Sequence, residues 1–565
     1  MDHKVLRTTF SLLIALALLA AIAMPAAAGK PQTVEVQILA INDFHGNLEP
    51  PGGSSGRITL PGGATVNAGG AEFLSTHIQQ LRATNPNTIF LSAGDNIGAS
   101  PLLSALFHDE PTIEALNMMG MEYSAVGNHE FDEGVDELLR MQNGGCHPVD
   151  GCQDGDDFAG AAFKFLTANV EWKDRHKPKT LFPPVKIRTF KKAKVAFIGV
   201  SLESTPTIVT PSGVAGLNFL PEVASVNALV PLLQAKGVRA IVVVLHNGGS
   251  QTGFYNECVN LSSDITGIAE GLDDEVDVLI TGHTHNAYNC VVDNKLVTGA
   301  SSFGRLITDI DLTIDRGTGD VVAKQANNVI VTRDVPADPA VTALIDKYKV
   351  VAGPLANRVI GSITADITRT ATAAGESALG DVIADAQLAA TALPGYGDAV
   401  VAFMNPGGIR ADLTYNQISG GELPGEVTYG EAFTVQPFGN SLVTMSLTGA
   451  QIDTLLEQQF DNPLPGQMRI LQVSQGFTYT WSASAPTGNK VDIASIMING
   501  VPIDPAGVYR VTVNSFLADG GDRFTVLTQG TDRLGGALDL DALIAYFAAF
   551  SPVPPGPMDR IIMTP

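Results

Sequence analysis

Five times in the first half of the chain, a short apolar run breaks off into a few residues rich in Asp, His and Asn. The runs end as ILAINDFHG, TIFLSAGDN, YSAVGNHEFD, IVVVLHNGG and VDVLITGHTH. Each run is short, β-branched and bounded by Gly, Asn or Asp, the pattern of a buried strand. Helical spacing appears between the first two, where Ala71, Leu74, Ile78 and Leu81 recur. Alternating strands and helices predict a layered α/β unit. In such sheets ligands gather outside the carboxyl ends of the strands. Five strands that deliver Asp43, His45, Asp95, Asn128, His129, Asp132, His246, His283 and His285 at one edge predict a metal cluster.

Taken singly, Asp-x-His is a weak signal and Gly-Asp usually marks a turn. Their joint order carries the weight, and five of the ten histidines fall within it. Imidazole and carboxylate without thiolate suit Zn, Mn or Fe rather than Ca. A carboxylate has two oxygens and can bridge two cations, so Asp95, alone in its motif, is the expected bridge. His77, on the first helical stretch, reads as a structural flank.

With 565 residues the chain is expected to hold at least two domains. The segment VPADPAVTALIDKYKVVAGPLANRVIGSI separates the strand-rich first part from a second α/β or α+β unit without His or Cys. Chemistry that needs those residues therefore belongs to the first unit. There are 58 acidic against 34 basic residues, a net charge of −24, and no Lys/Arg-rich run in the mature chain. That argues against a nucleic-acid polymer as partner.

The N-terminus reads as a signal peptide over residues 1–28. Lys4 and Arg7 precede an apolar Phe10–Met24 core and the small residues Ala26, Ala27 and Ala28. Export to a periplasm or the medium is expected, with no transmembrane anchor. Disulfides then become available. Cys146 and Cys152 share a Gly/Asp-rich loop and are expected to close on each other. Cys258 and Cys290 would form the other pair among three connectivities. A zinc knuckle would need a second close Cys pair.

The order D-x-H, GD, GNHE, H, GH-x-H is that of the calcineurin-like metallophosphoesterases. The GNHEFD form, together with NPGGIRADL, VQPFGNSL and VNSFLADGGDRF, resembles the 5'-nucleotidase family over nearly the whole mature chain. The resemblance implies a four-layer α/β/β/α metallophosphoesterase sandwich over 33–335, a linker helix over 336–360 and a C-terminal α/β substrate-binding domain over 361–553. It implies two divalent metal ions (Zn, Mn or similar), one held by Asp43, His45, Asp95 and His285, the other by Asp95, Asn128, His246 and His283. The catalytic dyad would be His129 and Asp132. Phe438 and Phe516 would sandwich a base, Asp522 would bind ribose, Arg410 phosphate, and Asn405 the base or another part of the substrate.

Two positions depart from the family pattern. Gly375 stands where an arginine is common, leaving Arg369 as the nearby candidate for phosphate binding, and Asn47 stands where some relatives carry a basic residue. The implied activity is hydrolysis of the 5'-phosphate from nucleotides by hydroxide generated at the metals, with His129 stabilising or protonating the leaving oxygen. Nucleoside monophosphates are the expected substrates, with di- or triphosphates and UDP-sugars as further ones. The alternatives are a 2',3'-cyclic-nucleotide phosphodiesterase/3'-nucleotidase and a surface-binding protein on a retired scaffold.

Overall fold

The computed structural model describes residues 32–209, 211–463 and 465–565. The expected signal peptide lies outside them. In chain order the first unit has β1 (Thr33–Ile41), β2 (Thr88–Ser92), β3 (Tyr123–Ala125), β4 (Lys164–Leu166), β5 (Val185–Phe190) and β6 (Ala193–Val200). There follow β7 (Ala240–Leu245), β8 (Val276–Thr281), β9 (Ala287–Val292), β10 (Lys295–Ala300), β11 (Leu306–Asp315) and β12 (Val321–Ile330). They pair into two six-stranded sheets, β12-β11-β1-β2-β3-β4 and β9-β10-β8-β7-β6-β5.

The strands of each sheet alternate their side chains between two cores. Ile38, Ile89, Leu91, Phe197, Val242 and Ile280 face inward between the sheets. Their neighbours Leu39 and Phe90 face outward under α1 (Ala71–Arg82), α2 (Glu110–Met118) and α3 (Val135–Asn143). Ile198, Val243 and Leu279 do the same under α4 (Glu222–Asn227), α5 (Val230–Gln234) and α6 (Ser263–Gly271). Burial on both faces explains why these strands read as continuous apolar runs rather than alternating ones. The result is a four-layer α/β/β/α sandwich.

Helix α7 (Pro339–Ala356) buries Val341, Ile345, Tyr348 and Ala352 in the outer core of the first unit. Asp338 caps it by accepting the Ala340 amide, and Pro339 suits a first turn that needs no amide donors. Beyond it, β13 (Val401–Met404), β14 (Ser441–Thr448), β15 (Gln472–Val473), β16 (Val508–Asn514) and β17 (Thr531–Leu538) form a mixed sheet ordered β15-β13-β16-β14-β17. Helices α8 (Ala378–Thr391) and α10 (Asp539–Phe550) share a core with the short α9 (Tyr429–Val435) through Leu379, Ile383, Ala432, Leu543 and Phe547. This second unit is α/β as well.

Both cysteine pairs are bonded, Cys146 to Cys152 and Cys258 to Cys290. Among the described residues no helix is long and apolar enough to cross a membrane.

Candidate metal centre and substrate face

Strands β1, β2 and β3 run parallel, as do β7 and β8 in the facing sheet, so their carboxyl ends share one edge. Asp43, Asp95, Asn128, His246 and His283 each follow one of those ends within three residues. Asp43, His45, Asp95, His283 and His285 all have left-handed φ, from 47° to 68°. That conformation is costly away from glycine and clusters where side chains must be aimed. Gly127 lets the third loop lie against the second, since a Cβ there would collide with Asp95 Oδ1.

The donors fall into two sets. His45 Nε2 lies 3.9 Å from Asp43 Oδ1, 3.8 Å from Asp95 Oδ2 and 3.2 Å from His285 Nε2. His285 Nε2 is 3.4 Å from Asp43 Oδ1. In the other set His246 Nε2 is 3.0 Å from Asp95 Oδ2 and 3.1 Å from Asn128 Oδ1, which also faces His283 Nδ1 at 2.9 Å. Asp95 Oδ2 belongs to both. Its Oδ1 accepts the His129 amide at 2.8 Å, which fixes the carboxylate between the sets.

The outer bonds suit metal ligation. His45 Nδ1 meets the Gly98 carbonyl at 2.8 Å and His246 Nδ1 the Ala93 carbonyl at 2.8 Å. Each Nδ1 thereby carries the proton and each Nε2 presents its lone pair inward. Two Nε2 atoms 3.2 Å apart, beside two buried carboxylates, form a donor set that fits divalent ions.

Electrostatics point the same way. Burial opposes charge on Asp43 and Asp95, but the surrounding imidazoles outweigh it and hold both carboxyls below their usual range. Burial lowers His283 to about 4, helped by the charge of His246. Burial also opposes charge on His246, yet Asp95 pushes it up to about 9, so without a cation a proton takes the position between them. The residues expected as ligands, Asp43, His45, Asp95, Asn128, His246, His283 and His285, are thus brought together.

His129 Nδ1 pairs with Asp132 Oδ2 at 2.8 Å, and its ring sits 4.9 Å from that of His45. Burial opposes its charge, but Asp132 and then Asp95 prevail and raise its pKa. Phe438, from the second unit, lies nearly parallel to the His129 ring at 5.9 Å. The Arg410 guanidinium is 5.8 Å from the centre of Phe438. Burial lowers the pKa of Arg410, while Asp132, Asp95 and Asp43 act in the opposite sense. Arg369 donates to the Arg410 carbonyl at 2.7 Å. Both arginines line a cavity of about 830 Å³ between the units, along with Asn47, His285, Arg305 and Lys349.

The other residues expected to meet a substrate lie deeper in the second unit. Asn405 Nδ2 donates to Asp522 Oδ2 at 3.0 Å, and Asn514 Nδ2 to Asn405 Oδ1 at 3.0 Å. Asp522 is also paired with Arg469. Phe516 packs over Gly521 and against the core of the second unit, whereas Phe438 meets the first unit. His77 is structural, its Nε2 bonding the Thr332 carbonyl at 3.1 Å.

Three residues carry more than their sequence motifs showed. Glu130, inside GNHE, is buried and accepts the amides of Asp95, Asn96 and Gly127 at 2.9, 2.8 and 2.6 Å, binding the second loop to the third. Asn42 donates to Asp43 Oδ2 at 2.7 Å and accepts the Ala300 amide at 2.8 Å. Arg469 neutralises Asp522. Position beside an assigned ligand was the available signal for the first two; nothing local marks Arg469.

Comparison with known proteins agrees with this architecture. Residues 36–287 match the family model of the calcineurin-like phosphoesterases, and residues 359–529 that of the 5'-nucleotidase C-terminal domain. The chain is 33% identical over 522 residues to an endonuclease of Bacillus subtilis, covering 92% of this chain and 40% of that protein. It is 32% identical over 564 residues to a cell wall protein of Listeria monocytogenes, covering 95% of this chain and 70% of the other. The crystal structure of a 5'-nucleotidase precursor from Thermus thermophilus superposes with a TM-score of 0.76 at 28% identity, over 94% of this chain and 99% of that one. Two matched domains in this order, with a donor-lined strand edge, make the chain a member of the 5'-nucleotidase family of calcineurin-like phosphoesterases.

Proposed function

We propose that this chain is an exported phosphohydrolase that removes the 5'-phosphate from nucleotides at a two-metal centre. One observation supports it most: Arg410 of the second unit lines the same cavity as His285 of the donor edge and lies 5.8 Å from the ring of Phe438, which in turn stacks on His129. A fixed cation beside a metal-ligand cluster suits a phosphoryl group held from both sides.

Asp43, His45, Asp95 and His285 would hold one ion, and Asp95, Asn128, His246 and His283 the other. Bound divalent ions at such a site lower the pKa of water and offset phosphoryl charge. Arg410 presents its planar fork to the phosphate oxygens. Arg369 steadies the segment that carries Arg410 and adds positive charge to the same cavity wall. His129, whose protonated form Asp132 favours, donates to the leaving oxygen. Asp132 holds Nδ1, so Nε2 is the donating atom. Phe438 and Phe516 take the base, while Asn405 and Asp522 hydrogen-bond the nucleoside, with Arg469 paired to the Asp522 carboxylate.

The proposed units are 33–335, 336–360 and 361–553, after a signal peptide over 1–28. The buried residues of α7 lie in the core of the first unit, so the linker helix packs as part of that unit.

Phosphate release from AMP, ADP, UDP-glucose, a 2',3'-cyclic nucleotide and bis(p-nitrophenyl) phosphate tests the reading, with and without chelator. Metal-dependent release from AMP is expected. Release confined to the cyclic substrate, or none after metal is restored, would overturn it.

A further inference from the structure

Gly98 touches three members of the proposed centre. Its carbonyl meets His45 Nδ1 at 2.8 Å. A Cβ on it would fall 2.5 Å from the His129 carbonyl oxygen and 2.7 Å from Asp132 Oδ2. With φ at 79° it uses the conformational freedom of glycine, and such freedom has to be checked if the carbonyl is to stay aimed. The check comes from Asp109, whose Oδ2 accepts the Gly98 amide at 2.9 Å.

Asp109 stands directly before α2, where an aspartate ordinarily caps a helix by accepting an amide of the first turn. Here the side chain makes no such bond, and the backbone is left-handed at φ 62° and ψ 13°. Glycine would take that backbone with less strain, so what Asp109 adds is its carboxylate. That carboxylate is only 6% exposed. Its Oδ1 takes the Ser104 hydroxyl at 2.6 Å, and the same hydroxyl meets Thr112 Oγ1 of α2 at 2.6 Å. It also lies behind the first donor loop, since a Cβ on Gly46, next to His45, would stand 3.0 Å from Oδ1.

We propose that Asp109 is a positioning residue for the ion beside His45, acting through Gly98. The inference rests on the two-metal reading above. By fixing the Gly98 amide, Asp109 fixes where the Gly98 carbonyl stands. That carbonyl keeps the proton on His45 Nδ1 and turns Nε2 toward the ion, as the outer partners of histidine ligands do. The same glycine backs His129 and Asp132, so the dyad keeps its place relative to that ion.

The test uses the full chain, the variants Asp109→Gly and Asp109→Asn, and zinc alone. Asp109→Gly deletes the carboxylate and relaxes the backbone, whereas Asp109→Asn leaves the Gly98 amide a neutral acceptor. Chelator-competition titration reads the two zinc affinities, and the ¹⁵N resonances of labelled His45 and His246 tell which ion is which. In Asp109→Gly the ion beside His45 should bind about 10- to 100-fold more weakly. In Asp109→Asn the loss should be about threefold to tenfold, because a charge-assisted bond becomes a neutral one. The ion beside His246 should stay close to wild type in both. Wild-type affinity at both ions in Asp109→Gly, or in Asp109→Asn where the glycine variant does not fold, would overturn the proposal. So would an equal loss at both ions, the mark of a general loosening.

A metal-free readout separates this inference from the reading it rests on. The His45 Nδ1 proton should exchange with solvent faster in the variants than in wild type, without any ion bound. A wild type that takes no pair of ions refutes the two-metal reading; unchanged proton exchange in both variants refutes the role of Asp109.

Discussion

Glu130 offers the sharpest test of how the loops are held. Its carboxylate is 2% exposed and takes the Asp95, Asn96 and Gly127 amides, so it links the loop of the bridging carboxylate to the loop of Asn128. Glu130→Ala leaves three buried amides without an acceptor. Each costs about 1–3 kcal/mol, which bounds the loss at roughly 3–9 kcal/mol. Water entering the vacated space should bring it to the lower half, on the order of 3–5 kcal/mol. Glu130→Gln keeps one acceptor oxygen but turns an amide group toward backbone donors, and should cost about 1–3 kcal/mol. Urea unfolding of metal-free protein measures this without metal binding adding to the result. Metal content then reports whether Asp95 and Asn128 remain aligned. Glu130→Ala with wild-type unfolding and full metal content would show that the three bonds do not hold the loops.

Other outcomes follow from the same geometry. Removing Arg410 as Ala should lower kcat/KM for AMP by about 10- to 100-fold, the loss of a charge-assisted contact, with Lys recovering only part; steady-state kinetics decide. His129→Ala should reduce kcat by roughly 10²–10⁴-fold on AMP and far less on a p-nitrophenyl ester, whose leaving oxygen needs no proton. Asp539, buried and bonded to the Leu540 amide, is pushed up to about 7 by burial. The native state thus binds that proton more tightly than the unfolded chain, and stability should fall as pH rises from about 4 to 7, by up to about 1.4 kcal/mol per unit. Asp539→Asn should remove that slope in urea midpoints taken at pH 5 and pH 8; an unchanged slope would refute the assignment.

The donor edge was legible because two independent patterns coincide there. Apolar runs such as AIVVVL are the interiors of strands covered on both faces, and the polar residue that ends each run marks its carboxyl end. The two sheets bring those ends together, so order along the chain became proximity in space. Pairings that depend on distant segments left no such mark. Arg469 reaches Asp522 across 53 positions, and neither motif hints at the other. Phe438 reads as a base-stacking ring, yet where it rests depends on how the two units close, which places it on His129. Similarly, the spacing in VTALIDKYKVVAG announces a helix but not that its apolar face belongs to the first unit.

Anomalous scattering from crystals grown with zinc or manganese tests the central claim most directly. Two peaks about 3.5–4 Å apart on either side of Asp95 Oδ2 are predicted, one beside His45 and His285, the other beside His246 and His283. A single ion, or none at that edge in crystals of an active protein, would contradict it.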